Sequence, residues 1–251
     1  MDGTSPRTSP RPLLTLLGFP VVVPWTAWVG VALIAAVNAD SFRAHGGMVT
    51  TVAYAAGLYA TILLHELAHA IVARATGHRV LGIELGVLGG ATAYLPEAHP
   101  NPKHELRVAA AGPLTSLAAG LTLQLAAHGV NAVGAASLAV LLEALGLMNV
   151  VLAVLNLLPA SPLDGGHVSE ALVWRITGSR NAGMRVTAVT GYGIGLALVW
   201  VGLAMRDTVN GALLLFLGGM LVLDAMVLWR ESRAAHRRRR RPLWRRPPLA
   251  P

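Results

Sequence analysis

The chain has 251 residues, of which 54% are hydrophobic and only 13% are charged, and its formal net charge is +8. A soluble domain of this length would carry more charge on its surface, so the composition indicates an integral membrane protein. The lack of cysteine excludes disulfides, thiolate metal ligands and a cysteine nucleophile. The abundance of Ala, Gly and Arg is typical of a bacterium with a GC-rich genome.

Long apolar runs predict about six transmembrane helices, since roughly 20 apolar residues are needed to cross a hydrocarbon core. We expect these spans at about 19–37, 51–75, 106–127, 134–158, 186–205 and 211–229. The predicted fold class is therefore an all-α polytopic membrane protein with one intramembrane domain over residues 19–230. Residues 1–18 are expected to form a disordered tail and residues 231–251 a basic tail.

The positive charges predict how these spans are oriented in the cell membrane. If both termini are cytoplasmic, the outer loops carry only Arg43 and Arg206 among the twenty Lys and Arg residues. Cytoplasmic loops of membrane proteins are enriched in Lys and Arg, so this asymmetry favours cytoplasmic termini. The Arg-rich stretch from Arg233 to Arg246 follows the last span, where it is expected to meet anionic lipid headgroups rather than nucleic acid.

The second predicted span contains three ionisable residues, His65, Glu66 and His69. Such side chains are costly at bilayer depth, which makes a function for them the default expectation. Helix positions four apart share a face, so the two imidazoles lie side by side. This is the H-E-x-x-H pattern, in which two histidines hold zinc and the glutamate acts on the hydrolytic water.

The segment between the second and third spans, residues 80–95, is rich in glycine and partly alternates in hydropathy. This pattern favours a small β-hairpin or sheet with a tight turn near Gly89 and Gly90. Unpaired strand backbone cannot face lipid, so the segment would pack on protein or line a wet cavity. A short hairpin at the membrane surface is an equally open alternative.

A catalytic zinc usually has three protein ligands, so the two histidines require a third. The best candidate is Asp164, which follows the fourth span on the side where His65 and His69 are expected. Pro159 and Pro162 end the helix there, and the glycines after Asp164 allow a tight turn. The alternative is an ordinary interfacial turn in which the aspartate caps a helix.

The two motifs together resemble the site-2 protease family of intramembrane zinc metalloproteases, in a compact form without PDZ or CBS domains. The resemblance covers about residues 50–175. It rests on His65-Glu66-Leu67-Ala68-His69, Ala111-Gly112-Pro113-Leu114 and Asn156-x-x-Pro159-x-x-Pro162-Leu163-Asp164-Gly165-Gly166. One departure is Ser116, which stands where an Asn is frequent in the family.

The resemblance implies one zinc ion per chain, bound by His65, His69 and Asp164, with Glu66 as the catalytic acid and base. It also implies that Asn156 helps to hold the substrate. The expected reaction is hydrolysis of a peptide bond in or near the transmembrane segment of a membrane-tethered regulatory protein. The unwound substrate would add as a strand beside Gly89 and Gly90.

Two other functions remain open from the sequence. A divalent-metal transporter could also use intramembrane His and Asp side chains, although it would give Glu66 no ligand role. A catalytically silent relative could serve as a membrane scaffold, although the intact motif residues argue against that.

Overall fold

The computed structural model describes residues 12–87, 89–95, 97 and 99–240, so much of the two predicted tails lies outside the described residues. Within that part of the chain lie four strands and seven helices. In chain order they are β1 Leu14–Leu16, β2 Phe19–Val22, α1 Trp25–Asn38, α2 Gly47–Ala75, β3 Arg79–Leu85, β4 Gly90–Leu95, α3 Pro102–Ala132, α4 Ala136–Asn156, α5 Asp164–Thr177, α6 Arg180–Ala204 and α7 Val209–Arg240.

Five helices in the described part of the chain are long and apolar enough to cross a membrane. They are α2, α3, α4, α6 and the Asn210–Ala234 portion of α7. At about 1.5 Å per residue, the 21 residues of α4 extend about 31 Å, which matches a hydrocarbon core about 30 Å thick. The predicted fold class, a helical polytopic membrane protein with a small sheet between the second and third spans, is confirmed.

The first predicted span, residues 19–37, differs from the expectation. Its beginning is strand β2, and its remainder is α1, whose 14 residues extend only about 21 Å. The two prolines explain the difference, because Pro20 lies in the strand and Pro24 precedes the helix with an extended backbone. Residues 14–16, which we expect from the sequence to belong to a disordered tail, form strand β1 instead.

The described residues form two compact units. Unit 1 contains the described residues up to His99 together with Ala111–Val154, and unit 2 contains Pro100–Ala110 and the described residues from Leu155 onward.

The four strands of unit 1 form one sheet in the order β1-β2-β3-β4. The β3–β4 pair is the antiparallel hairpin that the sequence predicts, with Leu85 opposite Gly90. The β1–β2 hairpin is an addition, and β2 joins the sheet by pairing in parallel with β3. The strand β4 therefore lies at one edge of the sheet.

The turn between β1 and β2 is held by the end of α2. Leu17 and Gly18 both have positive φ, as a two-residue type I′ hairpin turn requires. The guanidinium of Arg74 donates a 2.9 Å hydrogen bond to the carbonyl of Leu17 and stacks 4.2 Å from the ring centre of Phe19. These contacts fix the N-terminal hairpin to α2, the helix that carries the H-E-x-x-H motif, and offset the strain of a non-glycine residue at positive φ.

The core of unit 1 joins the sheet to the motif helix. Phe19 and Val21 from β2, Ile83 from β3 and Ala70 from α2 are buried together in one cluster. Because Ala70 directly follows His69, the sheet packs on the same portion of α2 that carries the ionisable residues. The sheet is therefore in position to contribute to the site.

In unit 2, α6 and α7 are antiparallel and pack through small residues. A Cβ on Gly202 would lie 2.9 Å from the carbonyl oxygen of Gly211, and Gly191 lies opposite Ala225. Small residues permit such close approach between membrane helices. At these contacts the residue numbers on α7 decrease as those on α6 increase. The start of α6 and the end of α7 therefore lie at the same end of the pair.

Candidate active site

His65, Glu66 and His69 lie in the middle of α2, and their side chains are almost fully removed from solvent. Their exposed fractions are 5%, 7% and 6%. Three buried ionisable groups in an apolar helix are expensive unless they are paired or bind a metal. Their partners therefore determine what the site can do.

The two imidazoles direct their Nε2 atoms toward one another at a distance of 3.2 Å. Two nitrogen ligands of a tetrahedral zinc are about 3.4 Å apart when each Zn–N distance is about 2.0–2.1 Å. The observed separation therefore fits two ligands of a single metal ion. The rings meet edge to face, with centres 4.8 Å apart, so neither ring blocks the other nitrogen.

Ser116 on α3 contacts the other nitrogen of His65. The Ser116 hydroxyl lies 2.9 Å from His65 Nδ1, and Ser116 is 1% exposed. When Nδ1 carries the proton and donates it to this hydroxyl, Nε2 has its lone pair available for a metal. The residue noted as a departure from the family pattern thus orients a predicted ligand.

Gly112 on α3 gives the two Nε2 atoms the space they need. A Cβ at this position would lie 2.2 Å from His69 Nε2 and 2.5 Å from His65 Nε2. No side chain fits there without displacing both rings. The glycine of the Ala111-Gly112-Pro113-Leu114 segment is therefore required by the close approach of α3 to the histidines.

Glu66 is held by strand β4. The hydroxyl of Thr92 lies 2.7 Å from Glu66 Oε2 and 2.9 Å from the Glu66 carbonyl oxygen. A Cβ at Gly90 would lie 2.5 Å from Glu66 Cγ. Gly90 and Thr92 are two residues apart on one strand, so they share the face that meets α2. A glycine at position 90 lets the strand approach closely enough for the Thr92 hydrogen bond.

Tyr59 fixes the connection between β3 and β4. Its hydroxyl lies 2.7 Å from the carbonyl oxygen of Val87 and 3.0 Å from that of Gly86. Tyr59 precedes Glu66 by seven residues, which is about two helical turns. The helix therefore contacts the hairpin at two levels, through Tyr59 at the turn and through Glu66 at the strand.

The predicted substrate residues of the hairpin differ in their surroundings. A Cβ at Gly89 would meet no heavy atom within 4 Å, whereas one at Gly90 would collide with Glu66. Gly90 is thus tied to the position of Glu66, and Gly89 borders open space. Their contact with a substrate stays a prediction.

The other two predicted site residues belong to unit 2. Asn156 is the last residue of α4 and Asp164 is the first residue of α5, and both are half-buried. A Cβ at Gly165 would lie within 2.4 Å of the backbone of Leu157. The glycine after the aspartate therefore lets the start of α5 fold back closely on the segment that follows α4. The roles of Asn156 and Asp164 stay predictions.

The sequence reasoning did not assign roles to Ser116 and Thr92, which contact predicted site residues directly. Asn149 on α4 was also missed. It is fully buried and donates 3.0 Å and 2.9 Å hydrogen bonds to Thr61 Oγ1 and to the carbonyl oxygen of Leu145. A usable signal for Thr92 was its position two residues after Gly90 in an alternating strand.

Comparison with known proteins places these features in a family. Residues 53–134 and 122–202 match the sequence profile of Peptidase family M50. Rip3 of Mycobacterium tuberculosis is 36% identical over 221 residues, which are 82% of this chain and 55% of Rip3. Protein sll0528 of Synechocystis is 37% identical over 147 residues, which are 58% of this chain and 38% of that protein. Both relatives bear names containing "zinc metalloprotease". The matched region spans about half the length of Rip3 and less than half the length of sll0528.

A solved structure gives the same answer for the fold. The site-2 protease from Methanocaldococcus jannaschii aligns with 89% of this chain and 93% of its own, with a TM-score of 0.55 and 22% sequence identity. Together with the match to Peptidase family M50 and the relatives, this confirms the resemblance to the site-2 protease family expected from the sequence. With its buried H-E-x-x-H helix and its adjoining sheet, the chain belongs to Peptidase family M50.

Proposed function

We propose that this multi-pass membrane protein is a zinc metalloprotease that hydrolyses a peptide bond in or near the transmembrane segment of a membrane-tethered regulatory protein. The observation that carries the proposal is the pair of buried Nε2 atoms, on His65 and His69, separated by 3.2 Å beside Glu66. Membership of Peptidase family M50 and the names of the relatives support the same activity.

The donor set fits zinc, because two neutral imidazoles at this separation match two positions of its coordination shell. Asp164 is proposed as the third ligand on the basis of the family motif that ends in Asp164-Gly165-Gly166. Because the chain has one such set of three proposed ligands, we propose one zinc ion per chain. When bound, zinc would supply a Lewis acid that activates water and polarises the scissile carbonyl.

The chain's own residues would carry out the proton transfers and the positioning. Glu66 takes a proton from the attacking water and later delivers it to the leaving amine. Thr92 keeps the Glu66 carboxylate against β4 through its 2.7 Å hydrogen bond, which restricts its rotamers. Ser116 keeps His65 in the tautomer that presents Nε2. Asn156 is proposed to hold the substrate chain near the metal.

The edge strand β4 is proposed to receive the substrate. A transmembrane helix hides its carbonyls in hydrogen bonds, so it must unwind before it can be cut. On the described residues, β4 pairs with β3 on one side only, and an extended chain can add to its other side. Gly89 and Gly90 begin this edge. Replacing Gly89 with proline should reduce cleavage, and undiminished cleavage would contradict strand addition.

The proposed orientation has both termini in the cytoplasm. It rests on the positions of Lys and Arg in the sequence, and it requires β2 and α1 together to cross the membrane despite the short helix. Reporter fusions at each terminus test it directly, since a periplasmic N-terminus would contradict the crossing.

The decisive experiment uses the purified protein with zinc and reconstituted single-span substrates. Glu66→Gln should abolish cleavage while zinc content, measured by plasma mass spectrometry, stays near one per chain. Asp164→Asn should lower both cleavage and zinc content. Glu143→Gln on the exposed face of α4 is a matched control and should change neither.

Three outcomes would contradict the proposal. If Glu66→Gln cleaves substrate at the parental rate, Glu66 is not the general acid and base of the reaction. Full zinc content in Asp164→Asn would show that Asp164 is not the third zinc ligand. Metal-dependent flux in liposomes without any proteolysis would identify a transporter instead.

A further inference from the structure

An apolar groove runs along the outside of the α6–α7 pair in unit 2. Its cavity has a volume of about 380 Å³, and six of its lining residues are apolar or aromatic: Ala188, Val189, Tyr192, Ala225, Met226 and Trp229. This volume is within the range of about 300–1,000 Å³ that small-molecule sites occupy. The groove lies outside the site described above and contains none of its residues.

One end of the groove is strongly basic. Arg230 and Arg233 on α7 line it. Because α6 and α7 are antiparallel, Arg185 lies at the same end, one turn before the α6 residues of the groove. The side chain of Arg185 is half-buried, and its Nε has no hydrogen-bond partner among the described residues. Two guanidinium groups, those of Arg230 and Arg233, therefore line one end of an apolar channel, and Arg185 lies on the same face of α6 toward that end.

Among the described residues, no ion pair joins a carboxylate to Arg230 or Arg233. The neighbouring acids of α7 are Asp224 and Glu231, and at about 100° per residue neither of them shares the face of the helix that carries Met226 and Arg230. Glu170 on α5 is paired with Arg180 through a 2.8 Å contact. The basic end of the groove is thus suited to an anionic ligand group.

The position of these arginines along α7 matches the depth of a lipid headgroup in a bilayer. Apart from Asp224, the stretch of α7 from Ala212 to Trp229 is uncharged; its 18 residues form about 27 Å of helix, and Arg230 follows it directly. Trp229 lines the groove directly before Arg230, and tryptophan side chains favour the membrane–water interface. An acyl chain in the groove would place its phosphate beside the arginines.

We propose that the α6–α7 groove is a binding site for an anionic phospholipid. The acyl chain contacts the apolar walls, and Arg185, Arg230 and Arg233 bind the phosphate with charge-assisted hydrogen bonds. This site is distinct from the loose attraction of the Arg-rich tail to the membrane surface, because it has an apolar channel of defined shape. It requires only that the chain spans a membrane, so it does not depend on proteolytic activity.

The charge part is tested by native mass spectrometry of the full-length protein in detergent, titrated with dioleoyl phosphatidylglycerol or dioleoyl phosphatidylcholine. The protein should retain phosphatidylglycerol preferentially. The double variant Arg230→Gln/Arg233→Gln should weaken phosphatidylglycerol binding about 30-fold. Arg237→Gln/Arg238→Gln in the tail removes the same charge and should weaken it less than about threefold. Equal losses in the two double variants, or equal retention of the two lipids, would overturn the proposal.

The shape part is tested by filling the groove. Met226→Trp adds bulk inside it, whereas Val227→Trp introduces the same side chain at an exposed neighbour that does not line it. Only Met226→Trp should reduce phosphatidylglycerol binding. Unchanged binding in Met226→Trp would refute an occupied channel. A dimer in the parent protein that Met226→Trp converts to a monomer would assign the groove to a second copy of the chain instead.

Discussion

Replacement of Gly112 with alanine should remove zinc from the protein. In the structure, the added Cβ would lie 2.2 Å from His69 Nε2 and 2.5 Å from His65 Nε2, although Cβ atoms essentially never approach other heavy atoms more closely than 3.0 Å. The two nitrogens must therefore move by at least 0.8 Å (3.0 − 2.2) and 0.5 Å (3.0 − 2.5). Metal–ligand distances tolerate only about 0.2 Å.

We therefore expect zinc affinity to fall by about 100-fold or more, which is the upper end of the loss caused when ligand orientation is disturbed. Zinc content by plasma mass spectrometry and affinity by competition with a chelator measure this effect. Gly129→Ala is the matched control, because Gly129 is on the same helix and has no heavy atom within 4 Å of its added Cβ. Both changes raise helix propensity by about 1 kcal/mol, so only the contact with the histidines differs.

A Gly112→Ala protein that holds one zinc with parental affinity would refute the reasoning. Such a result would mean that the histidine nitrogens do not meet the metal beside α3. Loss of zinc in Gly129→Ala as well would assign the effect to the helix as a whole.

Three further predictions concern the residues that position the motif. Ser116→Ala should weaken zinc binding about 10- to 100-fold, because the His65 Nδ1 hydrogen bond is lost, and Ser116→Asn should retain more of the affinity. Thr92→Val should lower kcat about tenfold or more while zinc content stays unchanged, because the bond to the Glu66 carboxylate is lost. Tyr59→Phe should raise amide hydrogen exchange in the β3–β4 turn by about fivefold, equivalent to about 1 kcal/mol.

Each of these changes has a control elsewhere in the chain. Ser137→Ala, Thr122→Val and Tyr192→Phe remove the same hydroxyl groups at exposed positions of other helices and should leave the three readouts unchanged. Loss of zinc in Thr92→Val would show that β4 supports the ligands rather than the base. Equal exchange rates in Tyr59→Phe and the parent would mean that the hairpin turn is fixed by other contacts.

The sequence was sufficient to predict the main helices and the hairpin, because their signals are local. Long apolar runs marked α2, α3, α4, α6 and α7, and glycine with alternation marked β3 and β4. The helical spacing of His65 and His69 was sufficient to predict that the imidazoles lie side by side. These features depend on residues that are near one another in the chain.

The parts that were not predicted depend on distant partners. Strand β2 is an apolar segment directly before α1, and nothing in its own composition shows that it pairs with β3. Ser116 and Thr92 are ordinary polar residues until α3 and β4 bring them to His65 and Glu66. The role of Asp164 rests on the motif, and the zinc measurements on Asp164→Asn will decide it.

The parallel pairing of β2 with β3 also constrains how the protein matures. Val21 is paired with Ile83, 62 residues later in the chain (83 − 21), and pairs so widely separated form slowly. The whole of α2 lies between them, so synthesis of the motif helix precedes completion of the sheet. During this interval β2 has an open edge. The N-terminal hairpin therefore joins the sheet only after β3 has been made, whereas the β3–β4 hairpin that contacts Glu66 forms from neighbouring residues.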